Sequence, residues 1–271
     1  MTESVYGLSK RLEFVAGIVA DFRPKRVLDV GCGTGANLTA PLAQRFPETS
    51  FVGIDSDPAS IAYANRESPA GNAQYFVEAN FGDTETYDLV IASEVIEHVE
   101  DPDAFLNSLR GFLAPDGKLV LTLPNGLGPF ELVSFAETVM HLTGIYRVLR
   151  AFKRILRPRV VGSVTSDTLA ISPHINFFSY GQIRSVIAGG GFRILAYRPR
   201  TFLCGFGFDH LIRSPRTIAW NAEIADRLPP QLASAWMFLL SPCVSKGGQA
   251  FRRSRFARFR RFLNEKRWNL R

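Results

Sequence analysis

Cysteine is scarce, with only Cys32, Cys204 and Cys243 in 271 residues. Their long spacings exclude a disulfide framework and a paired Cys-x-x-Cys zinc site, so a reducing compartment is expected. Long apolar runs are missing too: the longest, Ala235 to Leu240, is far too short to span a bilayer. Residues 1–6 carry no charged-then-apolar leader, which makes a cytoplasmic chain the expectation. No repeat or low-complexity linker divides the first 245 residues. The composition that remains, 46% hydrophobic and 21% charged, excludes a disordered chain.

Charge is unevenly placed. Lys246 to Arg271 hold ten Lys/Arg and one Glu, a balance of +9 against +7 for the whole chain, so the rest carries −2. A nucleic-acid-binding fold would more often spread cations over its working face, and nucleic acid is an unlikely partner on that ground.

Apolar residues recur at helical spacing from Val5 to Phe22, and Pro24 stops that helix. Arg26 to Val30 reads as a buried strand running into glycines, and residues 36–45 as a helix. Phe51 to Ile54 is a second strand ending at Asp55, and Asp57-Pro58 caps a helix to Arg66. Strands at 74–77, 88–92 and 118–123 follow, with a helix at 103–113. Beyond Pro124 the rhythm breaks, then resumes with a helix capped by Ser179 and strands at 192–197 and 236–240. Strands separated by helices mean right-handed crossovers: an α/β, Rossmann-like, seven-stranded, mostly parallel sheet with helices on both faces. The expected domain spans 1–245 with an inserted lid at 127–171, and 246–271 forms a basic amphipathic tail.

The informative stretch is Val27-Leu28-Asp29-Val30-Gly31-Cys32-Gly33-Thr34-Gly35-Ala36. Glycines at a strand-to-helix turn let backbone approach a ligand and expose helix N-terminal N–H groups. Asp55, at the tip of the next strand, sits where a carboxylate accepts ribose hydroxyls. Gly31-x-Gly33-x-x-Ala36 with Asp55 also fits the dinucleotide fingerprint. Asp29 weighs against that: a carboxylate there holds a cationic amino-acid end, whereas it would repel a pyrophosphate.

These residues resemble the first motif of the class I S-adenosylmethionine-dependent methyltransferases, with Asp55 similar in position to the ribose-binding acid. Tyr87-Asp88-Leu89-Val90 resembles the family's fourth strand, and residues 113–119 the turn into its fifth. Glu94-Val95-Ile96-Glu97-His98-Val99 resembles the branch containing the ubiquinone-biosynthesis O-methyltransferases. The resemblance implies S-adenosylmethionine as cofactor, held by Asp29, Gly31, Cys32, Gly33, Gly35, Asp55, Asn80 and Ser93. Where many members have Gly-Asp after the third strand, this chain has Ala79-Asn80-Phe81, and Asn80 could still accept a bond from the adenine amino group.

Methyl transfer is an in-line displacement, to which a protein contributes alignment and desolvation. A hydroxyl acceptor also needs a base of near-neutral pKa. His98, on the carboxyl-end rim of the sheet, and His174, after Ser172-Pro173, are the candidates; purely local roles for both stay open. Asn125 is a further rim residue. Glu94, Glu97 and His98 could form a divalent metal site, which the resemblance to the quinone-precursor branch implies. Adjacent Glu97 and His98 on one helix would not converge, however, so no metal and a solvated pair of acids are expected.

Two segments are cationic and amphipathic. In 145–157, Ile145, Val148, Leu149, Phe152, Ile155 and Leu156 oppose five Lys/Arg; in 246–271, Phe251, Phe256, Phe259, Phe262 and Leu263 share one side of a helical wheel. Both suit an anionic membrane surface. The expected function is O-methylation of a small or lipid-linked acceptor, such as a prenylated phenol or sugar. N- or C-methylation, an NAD-dependent oxidoreductase and a non-catalytic membrane-associated scaffold are the alternatives.

Overall fold

A computed structural model describes residues 5–67, 70–82, 85–145, 169, 173–203, 214–244 and 250–268. The amino-terminal half runs α1 (Val5–Phe22), β1 (Arg26–Val30), α2 (Thr39–Arg45), β2 (Ser50–Asp55), α3 (Pro58–Glu67), β3 (Ala73–Val77), β4 (Tyr87–Ser93), α4 (Pro102–Gly111) and β5 (Leu113–Pro124). Then come α5 (Pro129–Leu142), α6 (Tyr180–Gly189), β6 (Phe192–Pro199), α7 (Pro215–Arg227), β7 (Ala235–Pro242) and α8 (Arg255–Arg267).

The strands make one seven-stranded sheet in the order β3-β2-β1-β4-β5-β7-β6. Neighbours from β3 to β5 are parallel, and β7 is antiparallel to both β5 and β6. This is the expected mostly parallel, Rossmann-like sheet. Alternation along the buried strands feeds two cores. Val27, Leu89, Ile91 and Val120 meet α1 and α2 on one face, while Leu28, Val90, Leu119 and Leu121 meet α4 and α6 on the other. The order reverses between β1 and β4, so the carboxyl ends of those strands diverge and leave a crevice for a ligand.

Local differences from the sequence reading have local causes. The helix expected from Ala36 starts at Thr39, because residues 31–38 turn around three left-handed glycines first. β5 begins at Leu113 and carries Pro115-Asp116-Gly117 as an irregularity: Tyr87 pairs with Leu113, but Leu89 pairs with Lys118. α7 has no counterpart in the sequence reading; Ser214 caps it by accepting from Thr217 N–H. Most of the amphipathic segment 145–157 lies outside the described residues. The tail does not stand off as an appendage: α8 packs on α5, and Phe251 stacks on buried Phe178 with ring centroids 4.9 Å apart.

Trp236 is fully buried in β7, and its indole N–H donates to Pro230 O at 2.7 Å. Trp236→Ala should therefore lower unfolding free energy by about 3–5 kcal/mol, as large-to-small changes at packed aromatics do. Urea denaturation measures this, and a loss below about 1 kcal/mol would contradict the packing.

Candidate active site

β1 delivers the chain into a turn where Gly31, Gly33 and Gly35 have φ of 74°, 56° and 67°. Space also demands glycine at two of them: a Cβ on Gly31 would collide with the Val95 side chain, and one on Gly35 with the Tyr75 ring at 2.6 Å. Gly31 and Cys32 N–H donate to Ile54 O at 2.8 and 3.0 Å. Asp55 completes the joint, accepting from Gly33 N–H and Asp57 N–H, each at 2.8 Å. Half-exposed, its carboxylate keeps lone pairs for a ligand's hydroxyls. Asp29 is buried under the turn and accepts from Thr39 Oγ1 at 2.6 Å. Asn80 is exposed at the end of a 3₁₀ turn after β3, at the neighbouring strand end. Burial, reinforced by Asp29 and Asp55, pushes the Cys32 thiol up.

A second cluster begins where β4 ends. Glu94 has φ 60°, a left-handed conformation costly for a residue with a side chain. Arg200 grips it from beyond β6, donating to Glu94 Oε1 at 2.5 Å and Oε2 at 3.3 Å, and Thr122 Oγ1 donates at 2.8 Å. Ser93 Oγ accepts from buried Arg11 at 3.1 Å and lies 2.9 Å from Thr122 Oγ1. Burial would raise the Glu94 pKa, but Arg200 and Arg11 overcome it and hold the carboxyl low. Glu94 therefore stays ionised and arginine-bound.

Residues 96–98 form a turn, not the helix that would have kept neighbours apart, so Glu97 and His98 face the same space. His174 joins them: one ligand atom from each of the three lies within 4.8 Å of the others. The two imidazoles meet edge to face at 4.9 Å. His98 Nδ1 lies 3.2 Å from Pro173 O and its Nε2 3.9 Å from Glu97 Oε1, while His174 Nδ1 donates to Glu131 Oε1 at 2.5 Å. Glu131, on α5, also accepts from Arg260 of α8 at 2.6 Å. Burial lowers the His98 pKa to about 4. His174 is driven the other way: burial would lower it, but Glu131 raises it to about 9. Burial, with Glu94 nearby, raises Glu97 to about 8.

The solvated pair of acids is thus a misreading. Glu97 is fully buried, and neither carboxylate oxygen has a hydrogen-bond partner among the described residues. Asn125 is used structurally, donating to Gln231 O and Ala233 O at 2.7 and 2.8 Å. Arg11, Glu131, Arg200 and Arg260 were missed, because nothing local in the sequence distinguishes them from solvated charges.

The turn, the acid on the neighbouring strand and the rim cluster sit together at the switch point of the sheet. A family model described as a methyltransferase domain matches residues 4–197. The chain belongs to that family. It is a class I S-adenosylmethionine-dependent methyltransferase by fold and family. A trans-aconitate 2-methyltransferase of Methylobacterium radiotolerans is 34% identical over 104 residues, 38% of this chain and 40% of the relative. The mitochondrial ubiquinone biosynthesis O-methyltransferase of Schizosaccharomyces pombe is 34% identical over 150 residues, 51% and 53% of the two chains. The matches thus span from two fifths to about half of these relatives. A solved plantazolicin methyltransferase, BpumL, in complex with S-adenosylhomocysteine shares the fold at 15% identity, with 89% and 86% of the chains covered and a TM-score of 0.50.

The raised Cys32 pKa leaves less thiolate at pH 8 than a free cysteine has, so alkylation should be slower. Peptide-mapped iodoacetamide labelling of native protein checks this; labelling of Cys32 at the rate of a small-molecule thiol would contradict it.

Proposed function

We propose that this methyltransferase transfers the methyl group of S-adenosylmethionine to an oxygen of a small or lipid-linked acceptor. The observation that carries the reading is the junction of the two clusters. Val95, between Glu94 and Glu97, packs against Gly31, so the donor turn and the polar rim share one wall. In this reading Asp55 holds the ribose, Asp29 supplies buried negative charge toward the cationic methionine end, and the glycines admit the nucleoside closely. Asn80 and Ser93 border the adenine and methionine ends.

Oxygen attack requires loss of a proton. His98, with a pKa near 4, is too weak a base at neutral pH, and His174, near 9, is already protonated. A divalent cation resolves this better than either histidine. The buried Glu97 carboxylate, with no hydrogen-bond partner among the described residues and flanked by two imidazoles, is a donor set suited to Mg, Mn or Zn. With His174 deprotonated at Nε2, Glu97, His98 and His174 would hold the ion, which would anchor an acceptor hydroxyl and lower its pKa. The chain's own residues do the rest: Pro173 O and Glu131 orient the rings, Arg200 keeps Glu94 ionised, and the apolar wall excludes water. The relatives named as ubiquinone O-methyltransferases support oxygen as the atom attacked.

A lipid-linked acceptor is supported by α8. Phe256, Phe259 and Phe262 are 42%, 53% and 45% exposed there, alongside exposed Arg252, Arg255 and Arg258. Aromatic and cationic groups on one surface suit an anionic headgroup layer. Phe251 departs from the expected stripe, because it turns inward to the core.

Two experiments test the reading. Calorimetry with S-adenosylhomocysteine should give binding that falls roughly 10–100-fold in Asp55→Ala, the loss of charge-assisted hydrogen bonds. Binding of NADH instead would overturn it. Sedimentation with vesicles should rise with anionic lipid and fall in a Phe259→Ser, Phe262→Ser double variant; binding indifferent to lipid charge would exclude the membrane contact.

A further inference from the structure

The geometry points to the carboxyl-terminal helix α8 as part of the acceptor-side machinery, with Arg260 a positioning residue that fixes His174 through Glu131. This rests on the methyltransfer reading and its metal-binding triad, and adds an element that neither requires. Arg260 is 1% exposed, as is Glu131. Its guanidinium donates to Gly126 O at 3.0 Å, Glu131 O at 2.8 Å and Glu131 Oε2 at 2.6 Å, and lies over the Phe177 ring at 4.0 Å. The other carboxylate oxygen of Glu131 receives His174 Nδ1–H. Asn264, one turn further along α8, donates to His174 O at 3.2 Å. One helix therefore holds His174 by ring and by backbone.

The same segment fastens the other two members of the triad. Arg253 Nε donates to Asn176 Oδ1 at 2.7 Å and its Nη2 to Glu100 O at 2.7 Å. Asn176 in turn donates to Ile96 O and Val99 O, and Ile175 and Asn176 N–H both donate to Glu97 O at 2.9 Å. The turn bearing Glu97 and His98 and the segment bearing His174 are thus laced to each other and to the tail. Docking a helix needs no such arrangement. Apolar side chains of similar volume often serve as well as a buried ion pair, and desolvating two charges is expensive. A guanidinium that grips the backbone and one carboxylate oxygen of Glu131, whose other oxygen takes an imidazole N–H, has a distinct consequence: it fixes the ring's rotation and its tautomer.

The test uses the full chain, with Mn²⁺ as probe followed by electron paramagnetic resonance and S-adenosylhomocysteine followed by calorimetry on the same samples. Wild type should bind both. Arg260→Met should weaken Mn²⁺ by about 10–100-fold, as loss of a partner behind a metal-bound histidine does, while S-adenosylhomocysteine affinity stays within about twofold. Arg260→Lys, which keeps the charge but not the planar set of donors shared by Gly126 O, Glu131 O and Glu131 Oε2, should fall between. Asn264→Ala removes only the bond to His174 O and should weaken Mn²⁺ by about fivefold; it carries the test if Arg260→Met does not fold. Unchanged Mn²⁺ affinity in folded Arg260→Met or in Asn264→Ala overturns the assignment. So does wild type that binds S-adenosylhomocysteine but no Mn²⁺, whereas wild type that binds neither defeats the donor-site reading itself.

Discussion

A strand that must turn back within one strand width, beneath a ligand, leaves its residues almost no volume. In this chain the turn after β1 is wedged between the Val95 side chain on one side and the Tyr75 ring on the other, and all three of its glycines lie in left-handed backbone. Side chains at Gly31 and Gly35 would be excluded twice, by conformation and by contact. Asp55 then converts a flexible turn into a defined one, since Gly33 and Asp57 N–H groups both end on its carboxylate. The late helix start at Thr39 follows from that joint.

The rim across the crevice is governed by a different constraint: many charges held away from water. Such groups are tolerated only where each charge finds a partner or changes its protonation. Glu94 takes Arg200, and Glu131 takes both His174 and Arg260. Glu97 forms no ion pair with an arginine among the described residues, and burial raises its pKa. In the reading proposed above, a carboxyl held in this way beside two imidazoles marks the place where an added cation would be stabilised rather than repelled.

In the reading proposed above the two clusters divide the labour of a transfer reaction: the glycine turn would take the donor by shape and by hydrogen bonds to its hydroxyls, and the rim, built from α5, α8 and the segment before α6, would select the acceptor. The basic tail belongs to this second layer. Its inward side reaches the rim through Arg253, Arg260 and Asn264, while Phe259 and Phe262 face outward.

Periodicity and punctuation made the sheet, most of its helices and the donor turn legible before any coordinates, because each depends on neighbours in sequence: apolar alternation, Asp57-Pro58, Ser179, the glycines and Asp55. The cluster at the rim was only half legible. His98 and His174 stood out as scarce titratable groups, yet Glu131, which holds His174, and Arg260 and Arg200, which hold Glu131 and Glu94, lie tens of residues away and resemble ordinary surface charges. Which acid is solvated, which is gripped by arginine and which is buried alone depends on what packs over it, and only tertiary contact decides that. The tail shows the same division. Its charge and aromatic content were plain in the sequence, but the inward turn of Arg260 and Phe251 came from the fit of α8 against α5 and of Phe251 against Phe178, a long-range packing choice that no local pattern encodes.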